Sequence, residues 1–286
     1  MRLSPFLHLI RPANVVTAIA DVLAGYAVAG FGNRGDLRWL LLATACLYAG
    51  GVVLNDVFDR DIDRRERPER PIPSGKVTVG AAATLGGTLL LAGIGAAALA
   101  NRTAAVVAAL TAAAILLYDG WTKQFSLVGP VNMGLCRALN LLLGIAVVPH
   151  ALEQAWMLGA LPLIYITAVT ALSRGEVHGG RSGVAAFALV SLTVVLSALF
   201  GLAGVARSWA GLALTAVLGW QVFPPFVAAY HSPDAGRIRH AIRTGVLSLV
   251  LLDAAIGATY RGPLYGLLIL ATGVVARALA RVFAVT

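Results

Sequence analysis

Apolar stretches of about 20 residues, nearly free of charge, follow one another along almost the whole of this 286-residue chain. They fall at about 13–31, 39–57, 78–100, 103–118, 131–149, 155–172, 184–206, 208–230 and 242–260, and a further stretch, 263–280, follows a short break at Arg261–Pro263. About 20 apolar residues in a helix cross the roughly 30 Å of hydrocarbon in a bilayer. A backbone there must satisfy its own hydrogen bonds, which an α-helix does within one segment. The pattern predicts an all-α integral membrane bundle of nine helices, with the tenth segment open, as a single domain over residues 1–286. Composition excludes the soluble alternative: 59% of residues are hydrophobic and 12% charged, against roughly 25% charged in a soluble domain.

Positive charge sets the orientation. Sixteen of the 22 Lys and Arg fall on the side that holds the N-terminus, and five on the other. Basic loops stay in the cytoplasm, so the N-terminus and the long loops 58–77, 119–130, 173–183 and 231–241 are expected there, in a bacterial inner membrane. Arg11, Pro12 and Asn14 interrupt the place where a cleavable signal would need an apolar core, so the first span is expected to be retained. The net charge of +9 does not indicate nucleic acid, because the basic residues alternate with spans instead of forming a face. Cys46 and Cys136 sit in apolar runs without metal-ligand spacing and are read as small buried residues. The polar loops after spans two and six lie four spans apart, which suggests a duplicated four-helix unit.

The loop after span two carries the densest chemistry. Continued as a helix at about 100° per residue, it places Asn55 at zero, Asp59 near 40°, Asp63 near 80° and Asp56 near 100°, on one quarter of the circumference. Asp61 lies near 240°, on the far side. Three carboxylates on one narrow face repel, and hard oxygen donors suit Mg²⁺. The plainer alternative is a solvated loop in which Arg60, Arg64, Arg65, Arg67 and Arg70 pair with the acids.

The pattern Asn55-Asp56-x-x-Asp59-x-x-x-Asp63, followed by Arg67-Pro68 and Arg70-Pro71-Ile72-Pro73-Ser74-Gly75, resembles the first aspartate motif of the UbiA superfamily of intramembrane prenyltransferases. Arg11-Pro12-x-Asn14 at the start of span one and Tyr118-x-x-x-x-Lys123 after span four extend the resemblance over nearly the whole chain; the commoner family pattern has the Tyr and Lys one residue closer. Ser173-Arg174-Gly175-Glu176-Val177-His178 and the terminal Phe283-Ala284-Val285-Thr286 resemble the EboC-like branch. The resemblance implies a helical bundle around a cavity that opens sideways to lipid under cytoplasmic cap loops. It also implies Mg²⁺-dependent ionisation of a polyprenyl diphosphate, with transfer of the prenyl cation to a polar or aromatic acceptor. Asp56, Asp59 and Asp63 are the expected catalytic and metal-binding acids, with Asn55 beside them. Arg67, Arg70 and Lys123 are expected at the diphosphate.

Other candidates come from polar residues at membrane depth. Arg11, Asn14, Asp21 and Gly25 share one stripe of span one, so Asn14 and Asp21 are read as cavity-lining or as helix contacts. Arg137, on a face with Asn132 and Asn140, either reaches substrate or pairs with Asp21 or Asp119. Tyr118 lines the site or sits as an interfacial aromatic, and Asp253 is read as a paired structural group. The second aspartate motif departs from the family: Glu176 is the lone carboxylate there, a candidate second metal ligand, with Arg174 and His178 as candidate diphosphate contacts. A membrane terpene cyclase, and a non-catalytic lipid-binding or transport protein of the same fold, are the competing readings.

Overall fold

The computed structural model describes residues 4–32, 34–176 and 179–282. Thirteen α-helices follow in order: α1 (Ser4–Ile10), α2 (Pro12–Val28), α3 (Arg34–Phe58), α4 (Arg60–Glu66), α5 (Val79–Ala100), α6 (Arg102–Gly120), α7 (Val128–Ile145), α8 (Pro149–Ala155), α9 (Ala160–Ser173), α10 (Ser182–Val205), α11 (Trp209–His231), α12 (Ala235–Arg261) and α13 (Pro263–Val282). Among the described residues, nine helical segments are long and apolar enough to cross a bilayer, and α2 is a shorter apolar helix of 17 residues, about 25 Å at 1.5 Å per residue.

The segment 263–280 is one of the nine. Gly262 turns the chain at φ 81°, and Pro263 starts α13, where a missing N–H costs no helical bond. Tyr265 then donates its hydroxyl to the Leu23 carbonyl at 2.9 Å, tying α13 to α2. The sixth expected span, 155–172, is corrected in its boundaries. Its apolar run is continuous, but the helix is broken: α8 ends at Ala155, a 3₁₀ turn covers Trp156–Gly159, and α9 starts at Ala160. Pro162 sits in the first turn of α9, where it does no harm.

Among the described residues, a smaller apolar core gathers Leu9, Val53, Ile72, Val77 and Ala82, and the two larger cores share α2 and α7. One joins α2 and α7 to α9–α13 around Tyr165, Leu192, Leu218 and Phe226; the other joins them to α3, α5 and α6 around Leu40, Leu47, Leu90 and Leu143. Large apolar side chains such as Leu91, Val205, Trp220 and Leu264 are exposed around the outside, the surface that lipid tails cover. α2 and α7 cross at Gly25 and Gly144. A Cβ on Gly25 would collide with the Leu141 carbonyl, and one on Gly144 with the Val22 carbonyl. Small residues of this kind let membrane helices approach backbone to backbone.

Candidate active site

The first acidic motif straddles the junction of α3 and α4. Asp59 leaves helical geometry (φ −87°, ψ 3°), yet the hydrogen bonds run through: Asp59 N to Asn55 O at 2.9 Å and Asp63 N to Asp59 O at 2.8 Å. The stripe therefore persists across the junction. Asp56 and Asp63 are buried, Asn55 and Asp59 half-buried, and Asp61 exposed. Asp61 meets only Arg64 at 3.1 Å and Arg60 at 3.6 Å, with 69% of its side chain exposed. Such surface pairs contribute about 0–1 kcal/mol. We expect Asp61→Asn to keep activity within about twofold of wild type; a loss as deep as that of Asp59→Ala would place Asp61 on the reacting face.

Basic side chains from three elements converge on the buried acids. Arg11 lies between α1 and α2 at φ 49°, ψ 68°, a left-handed conformation that costs a non-glycine residue about 1–3 kcal/mol and persists where surroundings enforce it. Leu9, packed with Val53, Ile72 and Val77, anchors that turn, and Arg11 Nη2 reaches Asp56 Oδ1 at 2.6 Å. Pro68, Pro71 and Pro73 prevent α4 from continuing. The chain instead folds back through a turn ending at Gly75 (φ 72°), with Ser74 N bonded to Arg70 O at 3.0 Å. Arg70 Nη1 thereby bridges Asp63 Oδ2 at 2.7 Å and Asp56 Oδ1 at 3.3 Å. Lys123 Nζ donates to Asp59 Oδ1 at 2.5 Å and lies 6.0 Å from the centre of the Phe58 ring. Arg67 is exposed.

Below this cluster lies a cavity of about 290 Å³ among α2, α3, α6 and α7. Leu47, Gly51, Val52, Ile115 and Met133 form apolar wall; Arg11, Asn55, Tyr118 and Asp119 lie towards the acids, and Thr44, Arg137 and Asn140 further in. Asn14 also lines it. Asn55 Nδ2 donates to Asp119 Oδ1 at 2.9 Å, joining α3 to α6. Asp21 does not line the cavity. It is fully buried behind the wall and holds Arg137 Nη1 at 2.8 Å and Asn140 Nδ2 at 2.8 Å. Asn132 is likewise structural, donating to Thr122 Oγ1 at 2.8 Å. Cys136, read from sequence as a packing residue, is on the cavity wall.

The loop after α9 approaches from another side. Arg174 Nη2 donates to the backbone carbonyls of Lys123 (2.9 Å) and Phe125 (2.7 Å), so it straps the loop that carries Lys123. Glu176 is half-buried and its carbonyl accepts from Arg239 at 3.1 Å; it does not line the cavity. His178 and the terminal residues 283–286 lie outside the described residues. Two exposed hydrogen bonds contribute about 1 kcal/mol together. Arg174→Ala is therefore expected to raise KM for a substrate held by Lys123 about fivefold, with little change in thermal stability. An unchanged KM would leave the strap without a role in substrate binding.

Sequence reading missed Asp119 and Arg11 as site residues. Asp119 carried a signal, as the single acid of α6, just past the apolar run of span four. The placement of Arg11 depends on a left-handed turn that residue type does not announce.

Among the described residues no trio of His, Cys, Asp and Glu converges as a ready metal site; the acids are partnered by Arg11, Arg70, Lys123 and Asn55. The donor chemistry nevertheless fits a hard cation. Asp56 and Asp63 share one Arg70 nitrogen and so lie close together, and all the available donors are oxygens.

These features define an integral membrane bundle with an internal cavity whose mouth gathers carboxylates, guanidinium groups and an ammonium. Residues 15–230 match the model of the UbiA prenyltransferase family, and the chain belongs to that family. It is 33% identical over 182 residues to digeranylgeranylglyceryl phosphate synthase of Sulfurisphaera tokodaii, covering 63% of this chain and 64% of that protein. The figures for the synthase of Metallosphaera sedula are 33% over 182 residues, with 62% of each chain covered. The match thus spans under two thirds of these curated relatives. The fold is shared with a UbiA homologue from Aeropyrum pernix K1 (TM-score 0.71, 17% identity, 85% of this chain and 96% of that one). It is shared also with a UbiA homologue from Archaeoglobus fulgidus bound to GPP and Mg²⁺ (TM-score 0.58, 14% identity, 93% and 99%).

Proposed function

We propose that the protein transfers a prenyl group from a polyprenyl diphosphate to an oxygen-bearing acceptor inside the membrane, with Mg²⁺ as cofactor. The observation that carries this reading is the arrangement of Asp56, Asp59 and Asp63 with Arg11, Arg70 and Lys123 at the mouth of an apolar-walled cavity. Asp56, Asp59 and Asp63, with Asn55, would hold Mg²⁺, and Glu176 is a candidate for a second ion. When bound, the metal supplies charge neutralisation for the departing diphosphate.

The chain's own groups do the rest. Arg70 and Lys123, with Arg11, offer donors where negative charge develops on the leaving group. Arg174 keeps the Lys123 loop seated. Tyr118 and Asn14 line the passage inward. Leu47, Gly51, Val52, Ile115 and Met133 keep water from the allylic cation. The carbon–oxygen bond to diphosphate breaks, a bond from the same carbon to the acceptor oxygen forms, and the acceptor proton is released.

The relatives' product name points to a glyceryl phosphate lipid as acceptor, ahead of an aromatic ring. Membership of the EboC-like branch is part of this proposal, on the resemblance of Ser173-Arg174-Gly175-Glu176-Val177-His178 and the terminal Phe283-Ala284-Val285-Thr286. The same reading takes residues 1–286 as one domain in a cell membrane, with the motif-bearing loops in the cytoplasm, on the strength of the Lys and Arg distribution.

The test is full-length protein in detergent with geranylgeranyl diphosphate, Mg²⁺ and geranylgeranylglyceryl phosphate, read by mass spectrometry and by diphosphate release. A doubly prenylated glyceryl phosphate is expected. Diphosphate release with a hydrocarbon product and no acceptor adduct would indicate cyclisation, and no release under any condition would indicate a binding protein.

A further inference from the structure

Asp119, in the last turn of α6, is 4% exposed and lines the cavity beside Asn55. One hydrogen bond holds its side chain: Asn55 Nδ2 donates to Oδ1 at 2.9 Å. Among the described residues Asp119 makes no ion pair. Lys123, one turn further along, is committed to Asp59 at 2.5 Å, and Arg11 to Asp56 at 2.6 Å. A carboxylate buried at the edge of a membrane span with a neutral amide as its partner is expensive, and such groups mark functional sites.

That partnership fixes what Asn55 can do. An amide has a donor end and an acceptor end, while an ionised carboxylate only accepts. Facing Asp119, Asn55 must turn Nδ2 towards α6. Its Oδ1 is then left on the opposite side of the amide, where no donor among the described residues claims it. Reversed, the amide would set its carbonyl against the carboxylate and offer N–H groups to a cation among the acids. A hard cation takes oxygen ligands, so this orientation decides whether Asn55 is a ligand at all.

The surrounding structure makes the constraint rigid. Asp59 follows Asn55 by four residues, and Lys123 follows Asp119 by four. Asn55–Asp119 and Asp59–Lys123 are therefore successive rungs between the ends of α3 and α6. The end of α6 is tied to α7 in turn, because Asn132 Nδ2 donates to the Ala114 carbonyl at 3.2 Å and to Thr122 Oγ1 at 2.8 Å. Gly120 lies against the Phe58 ring, which a Cβ at that position would meet at 3.7 Å.

We propose that Asp119 is a positioning residue of the metal site: it holds the Asn55 amide so that the carbonyl oxygen, not the NH₂ group, is presented to the Mg²⁺ that Asp56, Asp59 and Asp63 would bind. Asp119 acts through Asn55 and does not itself ligate the ion. The inference rests on the metal assignment of the prenyl-transfer reading.

The test measures Mn²⁺ binding to full-length protein in detergent by electron paramagnetic resonance, with Asp59→Ala as the control that defines the site. Asp119→Leu removes the acceptor at similar volume. It is expected to weaken Mn²⁺ binding at least about tenfold, the usual cost of losing the outer partner of a metal ligand. Asp119→Asn keeps an acceptor oxygen for Asn55 Nδ2 and is expected to stay within about threefold of wild type. In an Asn55→Ala background, Asp119→Leu is expected to cost nothing further, because its effect passes through that amide. Asp119→Ala serves the same comparisons if the leucine variant does not fold. Asp119→Asn as weak as Asp119→Leu would make Asp119 a direct ligand and overturn the proposal. Wild-type affinity in Asp119→Leu, or equal losses with and without Asn55, would overturn it too. If wild type binds no Mn²⁺ that Asp59→Ala abolishes, the metal assignment itself fails and the inference falls with it, an outcome distinct from a wild-type site that ignores Asp119.

Discussion

Asp59→Ala is expected to lower Mg²⁺-dependent diphosphate release by about three orders of magnitude while leaving the folded protein intact. The Asp59 side chain is 23% exposed and pairs only with Lys123, itself 24% exposed, so its removal leaves no buried charge stranded. Asp63→Ala is expected to be as inactive and also less stable. Asp63 is buried and bonded to Arg70, and removing one member of a buried pair costs about 3–5 kcal/mol. The pair of variants separates chemistry from folding: both lose turnover, and Asp63→Ala alone loses thermal stability in detergent. Turnover of Asp59→Ala within a few-fold of wild type would remove the acids from the reaction and favour the lipid-binding alternative.

Gly144→Leu is expected to abolish the folded protein. α2 and α7 touch backbone to backbone at Gly25 and Gly144, and even a methyl group at 144 would overlap the Val22 carbonyl. The obstacle is backbone rather than a movable side chain, so the helices must separate. Overpacking of a close contact costs about 1–3 kcal/mol for smaller insertions, and a leucine exceeds that range. The separation would also break the bonds from Arg137 and Asn140 to Asp21, which lie one to two turns away on the same two helices. Size-exclusion and thermal-unfolding measurements on purified protein check this. A monodisperse Gly144→Leu protein that unfolds at the wild-type temperature would show that the crossing is looser than described here.

The residue order alone shows the membrane class, the approximate spans and the acidic stripe. Each depends on local periodicity: about 20 apolar residues must span hydrocarbon, and a 100° helical step puts Asn55, Asp56, Asp59 and Asp63 on one face while turning Asp61 away. It also singled out Lys123, Tyr118, Arg137 and Asn14, because polar groups at membrane depth or at its edge are few enough to stand out.

Tertiary structure decided which charge meets which. Arg70 bridges Asp56 and Asp63 because three prolines and a left-handed Gly75 fold its loop back. Arg11 joins Asp56 through a left-handed turn 45 residues away in sequence. Arg174 holds the Lys123 loop by its backbone, a partnership with no signal in side-chain type. Asp21 is turned to Arg137 instead of the cavity, although it shares a helical stripe with cavity-lining Asn14. Helical periodicity fixes the direction of a side chain about its own axis. The neighbour it meets is set by how the helices cross, and at α2 and α7 that crossing is set by two glycines in contact across 119 residues.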